Sequence, residues 1–461
     1  MQYSMQHFND VIAGTRIASF HVSIWQIGRR NRQKRQEAKM ERPTETTIIP
    51  TDSNTKQLAA SLATEGIEPP PNPPAFSSSP FWAGLKATGS ELWLDTGDIE
   101  AAQELWTREF SAITVNNTLL NTEIQKGTYD DIIRKAGKKL SYLEPQARVM
   151  EIAFILNARH GLKLAYRFGA SVSVELHTSL ADDIEGTIEY AQRFHELCPN
   201  HFYVKIPLTP AGLIAGRRLA ERAIPINLTL GFSARHNYIA TAFAGPSYVN
   251  VFLGRLNAFI AGARLGNGEL VGERSTLASQ KAVNEAREIR GTTTRQIAAS
   301  LRNPPQVAAL AGIDVHTMPV KVARAAPEDL DGWWESCLDK EYTVELHPEI
   351  EPAEIRIEKL WDLSKQIRDF TQSIINGIPS TSEEFRERAH AGGLADLFPS
   401  LSDQERQWIR QDGKVPGHDK WATRIERGDL AIDSLLNAAG LAAFHVDQQA
   451  LDQRIEAVME K

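Results

Sequence analysis

Cysteine, long apolar runs and an excess of positive charge are all scarce in this 461-residue chain. Its two cysteines, Cys198 and Cys337, cannot build a disulfide framework or a zinc knuckle. They fit a reducing compartment, so we expect a cytoplasmic protein. No apolar run reaches the roughly 18 residues that a membrane-spanning helix needs. The net charge of −7 gives no indication of a nucleic-acid or membrane partner.

Two ligand-binding motifs are also missing from the sequence. A glycine-rich phosphate loop, expected after the first strand of a doubly wound sheet, does not follow residues 91–96. The nearest match, GNGELVG at 266–272, lies in a polar connection and is best interpreted as a flexible loop. His195 and His201 lack the i, i+4 spacing of a helical zinc pair, so no metal site is predicted.

The first 85 residues differ in composition from the remainder. RRNRQKR at 29–35 places five cations in seven residues, and EPPPNPPAFSSSP at 68–80 is too rich in proline and serine to continue a helix or sheet. We therefore expect a disordered arm over 1–85. The basic run has three interpretations: a solvated charge cluster, an organelle-targeting remnant or a surface-binding tag. Translation from Met40 would exclude this run altogether.

From residue 91 onward, short apolar segments alternate with amphipathic helical patterns. The predicted strands are 91–96, 112–117, 172–176, 202–207, 225–230, 248–255, 295–300 and 315–320, of which 295–300 has the weakest pattern. Eight strands alternating with helices over about 230 residues predict a (β/α)₈ barrel, an α/β fold of typically ~250 residues. We place the barrel at 86–344, a helical insertion at 345–428, and a terminal helix that packs on the barrel at 429–461.

Polar residues interrupt the predicted strands at or near their carboxyl ends. They are Asp95, Asn116, Glu175, Lys205, Asn227 with Thr229, Arg255, and Ser300 with Arg302. In a barrel these ends meet at one mouth, where active sites lie. Such residues on successive strands therefore predict one functional site.

Lys205 is the strongest single indication, because it lies between apolar residues in FYVKIP. Burial disfavours the ammonium form, and a neutral amine can attack a carbonyl to form a Schiff base. The structural alternative is a buried ion pair with Glu175 or Asp95. Arg255 and Arg302 have the chemistry of a phosphate clamp, with salt bridges at the barrel end as the alternative.

Seven segments resemble the transaldolase family of Schiff-base aldolases, which have a circularly permuted (β/α)₈ barrel. They are LDTGDI at 94–99, TVNNTLL at 114–120, VSVEL at 172–176, VKIPLTPAGL at 204–213, INLTLGFS at 226–233, VFLGR at 251–255 and ASLRN at 299–303. The terminal stretch, with IDSLL and DQQALDQRIEAV, is similar to the terminal helix of that family. The resemblance covers 91–320 and 429–461.

The resemblance implies a role for each site residue. Lys205 would form the Schiff base, and Asp95 would take the proton of the C4 hydroxyl during C3–C4 cleavage. Glu175, with Thr229 and a held water, would shuttle protons during loss of water. The residues implied in substrate binding are Asn116, Asn227 and Asn250 for the hydroxyls of the transferred unit, Phe252 beside them, and Arg255, Ser300 and Arg302 for the phosphate.

The sequence departs from the family pattern at Asn117, where proline is usual, at His236, where glutamine is common, and at Asn250, where serine is usual. These changes concern the donor pocket. Phe252 matches the residue of true transaldolases, whereas relatives that release free dihydroxyacetone carry tyrosine there. The resemblance therefore favours transfer over simple aldol cleavage.

We accordingly expect a transaldolase of the pentose phosphate pathway, acting on sugar phosphates without an organic cofactor or metal. It would move a dihydroxyacetone unit from fructose 6-phosphate or sedoheptulose 7-phosphate to an aldose phosphate. A homodimer is compatible with the sequence. The alternatives are an aldolase acting on another ketose phosphate and a non-catalytic barrel that serves as a binding or scaffold protein.

Overall fold

The computed structural model describes residues 51–460. Eight parallel strands close into one barrel in chain order, and each pairs with its sequence neighbours, β1 with β8. The strands are β1 (Glu91–Asp95), β2 (Phe110–Thr114), β3 (Ser171–Glu175), β4 (Phe202–Pro207), β5 (Ile226–Thr229), β6 (Tyr248–Phe252), β7 (Arg295–Ala299) and β8 (Val315–Pro319). The predicted (β/α)₈ barrel is confirmed, including the weakly indicated seventh strand.

Helices precede, connect and follow these strands. Up to β4 they are α1 (Ser53–Thr64), α2 (Pro80–Ala87), α3 (Ile99–Leu105), α4 (Asn117–Gln125), α5 (Asp130–Lys139), α6 (Pro145–Phe168) and α7 (Ile184–Leu197). Between β4 and β8 they are α8 (Pro210–Ala220), α9 (Ala234–Ile239), which continues as a π-helical turn over 240–244, α10 (Leu253–Gly262), α11 (Val271–Arg290) and α12 (Pro304–Ala309). Several begin at a side chain that caps the first turn, as Asp183, Thr209 and Ser233 do.

Aromatic side chains fill the amino-terminal end of the barrel interior. Trp93 of β1 is fully buried; it stacks on Tyr203 of β4 at 6.0 Å and meets Tyr248 of β6 edge-on at 4.6 Å between ring centroids. Ala112, Ile297 and Val315 complete this apolar layer. The inward positions nearer the carboxyl ends are polar instead. The barrel thus has a packed floor below a polar mouth, which is where a site can form.

The predicted disordered arm over 1–85 extends too far. Residues 1–50, with the basic run, lie outside the described residues, but 51–85 contain α1 and α2. Arg159 of α6 donates to the terminal carbonyls of α1, and Phe76 in the proline-rich stretch packs on Trp106 and Phe168. Proline prevents regular structure there but does not prevent an extended chain from packing, so the prediction is wrong for this part.

The segment after β8 is helical, as predicted for the carboxyl-terminal extension. It contains α13 (Val320–Asp329), α14 (Pro352–Ile355), α15 (Lys365–Asn376), α16 (Ser382–Ala391), α17 (Asp403–Asp412), α18 (Ala422–Arg427) and α19 (Ile432–Met459). The last helix runs beside the barrel mouth and then along α4, α5 and α6. Across residues 51–460 no helix has both the length and the apolar character needed to cross a membrane.

Candidate active site

Three predicted site residues lie side by side on neighbouring strands. In the parallel register Glu175 of β3 pairs with Lys205 of β4, and Lys205 pairs with Asn227 of β5. Paired residues of parallel strands point to the same face, so the three side chains form one row inside the mouth. Thr229 lies two residues beyond Asn227 and therefore points to the same face, nearer the opening.

Lys205 and Glu175 form the centre of the site. Lys205 Nζ lies 4.0 Å from Glu175 Oε1, and the two residues are only 4 % and 2 % exposed. Burial raises the pKa of Glu175, and the Lys205 charge partly opposes this shift. A carboxyl group of raised pKa beside an amine can both accept and return protons.

Asp95 brings a second carboxylate to the same mouth from β1. It is half-buried and accepts a hydrogen bond of 2.7 Å from the Thr114 hydroxyl, which also lies 2.7 Å from Thr317 Oγ1. Desolvation raises the pKa of Asp95, while the charge of Lys205 acts in the opposite direction. Sequence analysis missed Thr114 and Thr317, although a polar residue within an apolar strand was available as a signal.

Amide and hydroxyl groups line the side of the mouth formed by β5 and β6. Asn250 donates to Asn227 Oδ1 at 3.1 Å, and Asn227 donates in turn to the Ser173 hydroxyl at 3.1 Å. Within residues 51–460, the buried atoms Asn250 Oδ1 and Thr229 Oγ1 have no hydrogen-bond partner. Buried polar atoms are normally paired, so these two are available to a substrate or water molecule.

Arg255 follows β6 in the first turn of α10 rather than ending the strand. Its side chain is 5 % exposed and lies over Phe252, 5.0 Å from the ring centroid, and its Nη1 atom has no hydrogen-bond partner in the described part of the chain. Desolvation and the nearby charge of Arg302 lower the pKa of Arg255 to about 10. A buried, unpaired guanidinium beside a second cation is an arrangement that an anion would stabilise.

Ser300 and Arg302 reach the same rim from the loop after β7. Arg302 is exposed, and Ser300 is half-buried with a left-handed φ of 65°. Glycine at position 254 makes this approach possible, because a Cβ there would lie 2.2 Å from the Ser300 carbonyl oxygen and 2.9 Å from Arg302 Nε. The absence of a side chain at position 254 therefore allows the loop that carries Arg302 to lie against the helical turn that carries Arg255.

The terminal helix α19 covers one side of the mouth. Phe444 places its ring 5.5 Å from Lys205 Nζ and 5.6 Å from Arg255 Cζ. Asn437 donates to the Leu208 and Leu230 carbonyls after β4 and β5, and Asp447 accepts from Thr118 at the start of α4. No local pattern marked Phe444 as a site residue, because its partners, Lys205 on β4 and Arg255 on α10, are distant from it in the sequence.

Behind this contact, a buried charge cluster fixes the start of α19. Arg235 of α9 bonds to both Asp433 oxygens at 2.8 Å and to Asp396 at 2.9 Å. His236, at a position flagged by the sequence, stacks on Phe398, and both ring nitrogens lack hydrogen-bond partners among the residues described. Desolvation lowers the pKa of His236 to about 4. His236 is therefore neutral near pH 7 and adds no positive charge to the site.

Asn116 has a more structural environment than the other predicted residues. It is the N-cap of α4, and its Oδ1 atom accepts from the Leu119 backbone amide at 2.9 Å. It is half-buried beside Asn117, which is 2 % exposed. The structure thus brings Lys205, Glu175 and Asp95 to the centre of the mouth, and leaves Asn116 at its rim.

Comparison with known proteins identifies a family for the chain. The family model described as transaldolase/fructose-6-phosphate aldolase matches residues 92–374. The matched range includes all eight strands except the first residue of β1, and it extends into the predicted insertion.

Several relatives are named as transaldolases or probable transaldolases. The chain is 30% identical over 229 residues to a transaldolase of Xanthomonas euvesicatoria, covering 48% of this chain and 70% of the relative. It is 33% identical over 233 residues to a probable transaldolase of Thermus thermophilus, covering 50% and 86%. It is 39% identical over 155 residues to a probable transaldolase of Geobacillus thermodenitrificans, covering 33% and 64%.

Proposed function

The chain belongs to the transaldolase/fructose-6-phosphate aldolase family of enzymes, and on this premise we propose that it is a transaldolase working through a Schiff base on Lys205. The donor would be a ketose phosphate such as fructose 6-phosphate or sedoheptulose 7-phosphate, and the acceptor an aldose phosphate. The reaction belongs to the pentose phosphate pathway of the cytoplasm.

The observation that carries this proposal is the position of Lys205. Its amine is almost completely buried, lies 4.0 Å from Glu175 Oε1, and is close enough to Asp95 for the two charges to interact. A lysine in such a site can become a nucleophile, and the two carboxyl groups can move the protons that imine chemistry requires.

The proposed reaction begins when the Lys205 amine attacks C2 of the ketose. Glu175, with a water molecule held at Thr229, first takes a proton from the Lys205 nitrogen as a base and then returns it to the carbinolamine hydroxyl as an acid, so that water leaves and the iminium ion forms. Asp95 then removes the C4 hydroxyl proton, the C3–C4 bond breaks, and its electron pair moves toward the iminium nitrogen to form an enamine. The aldose phosphate departs, and addition to the acceptor aldehyde reverses these steps, with Asp95 returning the proton.

Arg255 and Arg302 would hold the phosphate of donor and acceptor. Charge-assisted hydrogen bonds from a guanidinium to phosphate oxygens are strong and directional. The Ser300 carbonyl and the Arg302 side chain both lie close to Gly254, the residue before Arg255. Phe444 and Phe252 surround the Arg255 guanidinium with apolar surface, which strengthens its interaction with an anion by excluding water.

The direct test is borohydride trapping with fructose 6-phosphate, followed by intact mass and peptide mapping. We expect one adduct, located on Lys205, and no adduct in the Lys205→Met variant, which should keep its circular dichroism spectrum. Lys163 and Lys321 serve as internal controls within the barrel. Label on either of them would contradict the assignment, and an absence of label on the wild type would favour a binding or scaffold role.

An aldolase acting on another ketose phosphate is the second candidate. Phe252 argues for transfer, since its phenyl ring under Arg255 offers no hydroxyl group that could protonate the enamine carbon. We expect fructose 6-phosphate to be consumed only when an acceptor such as erythrose 4-phosphate is present. Steady release of free dihydroxyacetone without an acceptor would identify an aldolase instead.

A further inference from the structure

Asn117, which no family role covers, contacts Glu175 directly. It is the first residue of α4, and its backbone N–H donates to Glu175 Oε2 at 3.0 Å. Its side-chain amide donates to the Leu176 carbonyl at 3.2 Å. A second asparagine, Asn157 of α6, donates to the Glu175 carbonyl at 2.7 Å. The two asparagines therefore hold both the backbone and the carboxylate at the end of β3.

The two oxygens of Glu175 consequently differ. Oε2 is fixed by the Asn117 amide, whereas Oε1 has no hydrogen-bond partner among residues 51–460 and lies 4.0 Å from Lys205 Nζ. An amide in the first turn of a helix has no partner within its own helix, so its donation to Glu175 costs α4 no hydrogen bond. One oxygen is anchored and the other is available for proton transfer.

We propose that Asn117 is a positioning residue, whose backbone N–H orients the Glu175 carboxylate and sets the pH below which that carboxylate stops acting as a base. This inference rests on the proposed function, in which Glu175 moves protons during Schiff-base formation. It adds a group to the reaction that acts through Glu175 and touches no substrate.

Other groups also influence Glu175. The charged or titratable groups that face it are Lys205 on β4, Asp95 on β1, Arg255 on α10, and His177 and Tyr190, which line the same small cavity beside α19. Burial raises the pKa of Glu175, and the Asp95 charge adds to the rise. The Lys205 charge and the Asn117 N–H bond oppose it. Removing the Asn117 N–H alone should therefore raise the pKa of Glu175 further.

Two substitutions at one position separate the backbone from the side chain. Asn117→Pro removes the N–H, and proline is well tolerated at the first position of a helix because its φ already suits the turn. Asn117→Ala keeps the N–H and loses the side-chain contacts with Leu176 and Asn157. The pair is matched, since both variants lack the amide side chain.

The readout is the rate of Schiff-base formation with dihydroxyacetone across pH, which needs no carbon–carbon cleavage and so does not depend on Asp95. Samples are quenched at each pH, reduced with borohydride under one fixed condition, and analysed by intact mass. In Asn117→Pro the acid limb should move up by about one pH unit or more, since a hydrogen bond to a charged group is lost. In Asn117→Ala it should stay at the wild-type position.

The possible results distinguish failure of the proposed function from failure of the positioning role of Asn117. If the wild type forms no adduct, the proposed function fails. If it does, and the acid limbs of Asn117→Pro and Asn117→Ala coincide, the positioning role alone is wrong. Should Asn117→Pro fail to fold, an ester linkage at position 117, introduced through the α-hydroxy analogue of alanine, removes the same N–H without a ring. An unmoved acid limb in that variant also overturns the inference.

Discussion

The two halves of the barrel mouth differ in their exposure. On β3 to β5, under the terminal helix, Glu175, Lys205, Asn227 and Thr229 are almost completely buried. On the opposite side, Asp95 and Ser300 are half-buried, and Arg302 is exposed. The first half is the one that α19 covers, with Phe444 over Lys205 and Asn437 bonded to the loops after β4 and β5.

This contrast assigns different work to each half. Schiff-base chemistry needs a poorly solvated amine and carboxyl group, which the covered half provides. A phosphorylated sugar must enter and leave, and the open half offers that route with a cation at its rim. Arg255 lies between the two halves. It is buried under Phe444, and the nearby charge of Arg302 lowers its pKa.

The largest effect that we expect within the contrast is on Asp95, in the more exposed half. Asp95→Asn should lower the rate of carbon–carbon cleavage by about 10²- to 10⁴-fold, the usual contribution of a positioned acid or base. Adduct formation with dihydroxyacetone should remain. Rapid-quench assays with fructose 6-phosphate measure the rate of carbon–carbon cleavage, and borohydride trapping measures adduct formation with dihydroxyacetone.

Asp98→Asn is the control, since Asp98 follows β1 but caps α3, a task that asparagine also performs. Wild-type cleavage in Asp95→Asn would remove Asp95 from the mechanism. Equal losses of cleavage and trapping would show instead that Asp95 belongs functionally to the covered half.

The second prediction tests the attachment of α19. Burial would raise the pKa of Asp433, but the Arg235 charge outweighs it and holds this pKa below its usual range. Asp433→Ala leaves Arg235 buried with Asp396 alone, so the free energy of unfolding in urea should fall by about 3–5 kcal/mol. The exposed pair of Arg368 and Glu285 is the control, and Glu285→Ala should cost about 0–1 kcal/mol.

This effect should also depend on pH. A carboxylate with a lowered folded pKa stabilises the protein above its unfolded pKa, about 3.9 for aspartate, and loses that contribution as pH falls through the folded pKa. The difference between wild type and Asp433→Ala should thus be full at neutral pH and shrink in strong acid. A difference that stays constant down to pH ~2 would argue against ionic anchoring of the helix.

The barrel and its central residues could be predicted from sequence because their signals are local. A lysine within FYVKIP and apolar segments at regular spacing are visible in a short window, and register then brings Lys205 beside Glu175. An apolar terminal helix is also visible in the sequence, but the contacts that fix it over the site have no such local signal. Arg235 and Asp433 are 198 positions apart, and Arg235 and Asp396 are 161 apart.

The same reason explains the error in the amino-terminal region. Composition correctly indicates that 68–80 cannot form a helix or sheet, but Ser78 and Ser79 donate to Glu109, about thirty positions further on. Packing of this kind depends on a partner that only the folded barrel places nearby. The proposed backbone role of Asn117 could not be predicted either, because the identity of a side chain does not indicate which group its backbone N–H will contact.

The third prediction concerns Arg255, the cation between the halves. Arg255→Ala should raise the KM for fructose 6-phosphate by about ten- to a hundred-fold, because a desolvated charge-assisted hydrogen bond to the phosphate is lost. Trapping by unphosphorylated dihydroxyacetone should hardly change. Equal losses with both substrates would mean that Arg255 supports the barrel end under Phe444 and does not bind phosphate.

The smallest effect should come from Arg302, at the exposed rim. Its interaction with phosphate is solvated, so Arg302→Ala should raise the KM for fructose 6-phosphate only about two- to five-fold, within the range of exposed ion pairs.

The dependence of KM on salt concentration distinguishes the two arginines, since the screening length is about 10 Å at 0.1 M and about 3 Å at 1 M. The Arg302→Ala effect should nearly disappear in high salt, whereas the Arg255→Ala effect should persist. Lys126→Ala removes an exposed cation that is already paired with Asp98 and Glu123, and should leave KM unchanged at both salt concentrations. If high salt removed the KM effect of both arginine variants equally, the phosphate would lie outside the covered half. The contrast between a covered and an open half would then not describe how the substrate binds.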